Sequence, residues 1–64
     1  MRTDIIAGDM HGDMVAPGDT VLFEDKPYTI KELFEEHDEV TIGLEDEDGS
    51  VFVVDEDRIE LVSN

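Results

Sequence analysis

The chain has 64 residues, of which 19 are Asp or Glu and four are Lys or Arg, giving a formal charge of −15 at pH 7. It has no cysteine, so neither disulfides nor thiolate-held metals can staple it. This length supports one small core, and so acidic a surface disfavours direct contact with DNA, RNA or anionic lipid, which need a basic patch.

Stability must therefore come from burial of Val, Ile, Leu and Phe side chains. No run is long and apolar enough to cross a bilayer, and the N-terminus lacks the basic and apolar regions of a signal peptide. A soluble, cytoplasmic protein is the expectation. Acidic excess with almost no Lys has two readings. It suits a proteome that works in molar salt, where the Debye length shrinks to ~3 Å at 1 M and repulsion is screened. It also suits a nucleic-acid mimic or a partner of basic proteins. The ordered spacing of the apolar residues argues against disorder beyond the first residues.

In chain order, residues 1–16 read as an N-terminal arm, expected to be mobile. Asp4-Ile5-Ile6-Ala7 has the composition of a short strand, but Gly8 and Gly12 interrupt any pattern. Met10, His11 and Met14 do not supply the three or four converging ligands that a metal site needs. Pro17-Gly18-Asp19 is a turn signal that launches Thr20-Val21-Leu22-Phe23, a strand with Val21 and Phe23 on one face. Glu24-Asp25-Lys26-Pro27 reads as a turn, with Pro27 ending the pairing.

Residues 28–37 admit two readings. A strand over Tyr28, Thr29 and Ile30 needs a bulge near Lys31-Glu32 to turn Leu33 inward. The alternative is a short helix over 31–36, since Thr29-Ile30-Lys31-Glu32 matches a capping box. Glu35-Glu36-His37-Asp38 is then a polar turn.

The stretch 39–55 organises the rest. Val40, Ile42 and Leu44 alternate with polar or small residues, and Val51-Phe52-Val53-Val54 follows an acidic turn ending in Asp48-Gly49, a strong hairpin signal. A two-residue loop would pair Leu44 with Val53. A five-residue loop pairs Leu44 with Phe52 and sets Phe52 and Val54 on the core face, which is the preferred register. Asp55-Glu56-Asp57 predicts a tight polar turn of 3₁₀ type, followed by a last strand over 58–62 with Ile59 and Leu61 inward.

The fold class expected is all-β, about five short antiparallel strands over 17–64. Pro17-Gly18-Asp19-Thr20-Val21, Tyr28-Thr29-Ile30, the hairpin of Val40-Thr41-Ile42-Gly43-Leu44 with Val51-Phe52-Val53-Val54, and the closing run from Val54 to Leu61 resemble an SH3-like small β-barrel of the KOW, Tudor and SH3 types. That resemblance spans 17–62. It implies a module that binds peptides, RNA or other proteins through loops and exposed aromatics. The near absence of basic residues departs from the RNA-binding kinds, and four aromatics, most of them needed by the core, depart from the proline-peptide binders. The acidic composition is similar to that of small proteins from salt-loving archaea.

Chemistry is sparse. Asp46, Asp48 and Gly49 fit part of a calcium loop, but Leu44 and Asp55 would occupy its first and last ligand positions. His37 lies among Glu35, Glu36 and Asp38 with no nucleophile in reach. Ser50 and Ser63 have no triad partners, and no phosphate-binding glycine loop precedes a helix. The expectation is a protein without catalytic residues, metal or cofactor: an acidic protein-interaction module adapted to high salt, its partner possibly basic. The alternative is a nucleic-acid mimic that occupies the basic groove of a DNA- or RNA-binding protein. The candidate partner-binding residues are Glu45, Asp46, Glu47, Asp48, Asp55, Glu56 and Asp57.

Overall fold

A computed structural model describes residues 5–62. Residues 1–4, including Asp4 of the suggested first strand, and residues 63–64, including Ser63, lie outside them. The elements are β1 (Ala7–Gly8), β2 (Met14–Val15), β3 (Thr20–Phe23), β4 (Lys26–Glu36), β5 (Glu39–Glu45), β6 (Val51–Asp55), a 3₁₀ turn (Glu56–Arg58) and β7 (Glu60–Leu61). The protein is all-β. Strands β3 to β7 form one antiparallel sheet in the order β6-β5-β4-β3-β7, and β1 pairs with β2 in a separate two-stranded sheet.

Residues 28–37 are strand, and the bulge falls where Ile30 needs it. Pairing of β4 with β5 runs Thr29↔Glu45 and Ile30↔Leu44, then shifts at Lys31 and resumes at Glu32↔Gly43 and Leu33↔Ile42. One extra residue on β4 keeps both Ile30 and Leu33 facing inward and bends the strand. The bend is large. Phe23 on β3 and Phe52 on β6 have two strands between them, about 14 Å apart in a flat sheet, yet their ring centroids lie 5.7 Å apart. Tyr28 joins them edge-on to Phe52 at 5.1 Å. The sheet therefore curls over a core of Val21, Ile30, Ile42, Leu44 and Ile59, all buried. Among the described residues the curl does not close into a barrel, since β6 and β7 remain the two edges.

The β5–β6 hairpin has the five-residue loop, with Leu44↔Phe52 and Ile42↔Val54 paired. Phe52 and Val54 pack against the core, while Val51 and Val53 are 50% and 55% exposed.

Two turns are shorter than the sequence suggests. Phe23 pairs with Lys26 and Leu22 with Pro27, so only Glu24-Asp25 is loop. Glu36 pairs with Glu39, so only His37-Asp38 is loop. All four loop residues have φ between 53° and 69°, the left-handed pair that a two-residue type I′ hairpin requires. Pro27 does not end the pairing, because Leu22↔Pro27 sits one step beyond the closing pair. In the alternation of an antiparallel ladder its nitrogen then faces away from β3, at a place where pairing with β5 has not begun.

Residues 5–16, within the stretch 1–16 read as an N-terminal arm, pack onto the sheet. Ala7 and Val15 are 1% and 2% exposed and belong to the same core cluster as Ile30 and Leu44. Apolar spacing does not reveal this, since polar groups dock the β1–β2 hairpin.

Candidate functional site

The seven candidate carboxylates fall into two groups at opposite ends of β6. Glu45, Asp46, Glu47 and Asp48 surround the β5–β6 turn, and Asp55, Glu56 and Asp57 end β6 and form the 3₁₀ turn. From Val51 to Asp55 the strand rises about 13 Å, so the groups do not form one patch. Each is joined by acids from elsewhere. Glu24 and Asp25 mark the same end of the sheet as 45–48, while Asp38 and Glu39 line a shallow depression with Asp55, Glu56 and Asp57. Lys26 and Tyr28 border Asp46, Glu47 and Asp48 in another.

Two of the seven are occupied by the fold itself. Asp46 Oδ1 accepts the Asp48 and Ser50 backbone amides, both at 2.9 Å, an Asx arrangement. Asp46 N–H donates to the Ser50 carbonyl and Gly49 N–H to the Asp46 carbonyl. Gly49, at φ 87°, supplies the left-handed residue that lets the loop close. The features that suggested part of a calcium loop thus serve the turn. Glu56 Oε2 accepts the Gly8 amide at 3.1 Å, which fastens β1 to the 3₁₀ turn. Glu47, Asp48, Asp55 and Asp57 are exposed. His37 sits in its left-handed turn and is exposed. Among the described residues no three His, Asp or Glu side chains gather as metal ligands would.

The residue that the sequence hides is Asp9. It is 6% exposed, the one buried charged side chain among the described residues. Its Oδ1 accepts the amides of His11 (2.9 Å) and Asp13 (2.8 Å), and its Oδ2 accepts that of Leu61 (2.7 Å). Burial alone would push the Asp9 carboxyl up. The backbone donors at Leu61, Asp13 and His11, with the His11 imidazole nearby, overcome that and hold it below its ordinary value. Met10 N–H donates to the Ile59 carbonyl, and His11 Nε2 lies 3.2 Å from Glu60 Oε2. Asp9 thus ties the first hairpin to the last strand. The only sequence signal was the turn-rich Gly8-Asp9-Met10-His11-Gly12-Asp13.

Outside the acidic groups, the outer face carries a short apolar strip. Phe34, Val51 and Val53 are exposed around Gly43. A Cβ there would stand 3.3 Å from both the Glu32 carbonyl oxygen and Phe34 Cε2, so the missing side chain lets the ring lie close over β5. Comparison with protein-family profiles, with curated proteins and with solved structures gives no match. No helix among the described residues is long and apolar enough to cross a membrane.

Proposed function

We propose that the protein is a non-catalytic, SH3-like interaction module whose acidity is chiefly an adaptation to high salt. The carrying observation is the distribution of carboxylates. They occupy the β3–β4, β4–β5 and β5–β6 turns and the 3₁₀ turn, at both ends of the curled sheet. A nucleic-acid mimic needs acids spaced along one face like phosphates; here the two groups on β6 are separated by exposed Val51 and Val53. The placement of β7 beside β3, with the remaining strands in sequence order, supports the SH3-like reading, as does the 3₁₀ turn before the last strand.

The test is capture of partners from host lysate in dilute buffer and in molar salt, with the natural chain and with Glu47→Gln/Asp48→Asn. An interaction module retains its partner in molar salt, and there it tolerates the substitutions, because screening has removed their contribution. A mimic loses its basic partner with added salt, as ion-driven association does, and binds it more weakly when the two charges are removed.

A further inference from the structure

We propose that the outer edge of β6 is a strand-addition site for an extended basic segment of a partner protein, with Lys or Arg flanking a short apolar stretch. This inference rests on the interaction-module reading and specifies how the module would bind. Natural sheets blunt their edges with Pro, Lys, bulges or a covering element. The pairing of β6 with β5 shows no bulge, and the strand reads Val51-Phe52-Val53-Val54-Asp55, with neither Pro nor Lys. It is the longer of the two open edges, since β7 has only two residues. In an antiparallel ladder alternate residues bond the neighbour and the others turn their amides and carbonyls outward. The Asp46-to-Ser50 backbone bond sets the phase, which leaves Val51, Val53 and Asp55 facing out. An added strand would pair with these groups and rest side chains against Val51 and Val53.

Charge selects the occupant. Glu47 and Asp48 stand at one end of β6 and Asp55 and Asp57 at the other, all exposed; Arg58 lines a depression with Val53 and Asp55 at the second end, so carboxylates outnumber cations along the edge. A second copy pairing antiparallel would bring the acids of one end against those of the other, which is destabilising. A strand with cations at both ends meets carboxylates at both. Screening in molar salt removes most of the long-range attraction, whereas backbone hydrogen bonds and valine contacts persist. The edge is therefore the part of the surface able to hold a partner under the conditions that the composition suits.

The test uses a synthetic peptide of alternating valine and threonine with paired lysines at each end. Its control is the same peptide N-methylated at alternate backbone amides, which keeps the charge and removes strand donors. Binding is followed by fluorescence anisotropy in dilute and molar salt, and by amide chemical shifts of the intact protein. The unmodified peptide should perturb Val51, Val53 and Asp55 and survive added salt. The methylated one should bind at least about tenfold more weakly, the loss expected when two or three backbone hydrogen bonds go unmade. Equal binding by both peptides, with shifts confined to the two acidic turns, overturns edge pairing while leaving the module reading intact. If neither peptide binds, edge pairing falls, and the lysate capture decides the module reading separately. Concentration-dependent dimerisation abolished by Val53→Pro would replace the basic segment with a second copy.

Discussion

Asp9 and the Asp46–Asp48 turn contain the same kind of side chain in opposite circumstances. Asp9 is withdrawn from water and accepts three backbone amides, two of them from its own turn and one from Leu61, 52 residues along the chain. Asp46 accepts two amides, both within four residues of itself, and Asp48 beside it is exposed. One carboxylate joins the first hairpin to the last strand, and the other shapes a local turn whose neighbours face solvent. Charge count therefore says little about energetic weight in this protein. Position relative to backbone donors decides it.

The sharpest break in that comparison is Asp9→Ala, which leaves three amides without their acceptor. A loss of about 3 kcal/mol or more is expected, against a total of roughly 3–10 kcal/mol for a chain of this length. Urea denaturation should show a much lower midpoint, and a midpoint close to the natural chain's would mean that the hairpin docks by other contacts. Asp9→Asn keeps an acceptor but no charge, and about 1.5–3 kcal/mol should go. The pH dependence follows from the same carboxyl. Its folded pKa lies below the ordinary value, so its contribution is complete above the ordinary carboxylate range and is lost as pH falls through the folded pKa. Thermal melts in molar salt, where surface repulsion is screened, should show an acid-side decline that Asp9→Asn flattens.

Next in size are the type I′ turns. Asp25 and Asp38 stand at φ 67° and 69°, a region that costs a non-glycine residue roughly 1–2 kcal/mol. Asp25→Gly and Asp38→Gly should each raise stability by about 1 kcal/mol, read as a higher urea midpoint in molar salt. A fall would show that the aspartate side chains support their turns. Smallest is Glu47→Gln/Asp48→Asn, worth a few tenths of a kcal/mol in dilute buffer and nothing measurable in molar salt.

Part of this fold is legible in the sequence. The bulge at Lys31 and the Leu44↔Phe52 register were legible, because misplacing either would turn Leu33 or Phe52 out of the core. The two-residue turns were not, since Glu-Asp and His-Asp lack the glycine that advertises positive φ and the adjoining acids read as loop. Asp9 was hidden for a different reason. Its chief distant partner is a backbone amide, which every residue carries, so no residue type at position 61 could announce it. Glu56, a candidate partner-binding residue, accepts the Gly8 amide, a contact invisible in the sequence for the same reason.

The division between one buried, bonded carboxylate and many solvent-facing ones is tested most directly by thermal melting across a potassium chloride series. At ~10 Å screening length in 0.1 M salt the acidic turns repel; at ~3 Å in 1 M salt they scarcely interact. The melting temperature of the natural chain should climb steeply over that interval, and that of Glu47→Gln/Asp48→Asn should climb less. A melting temperature that does not change between dilute and molar salt would contradict the adaptation reading.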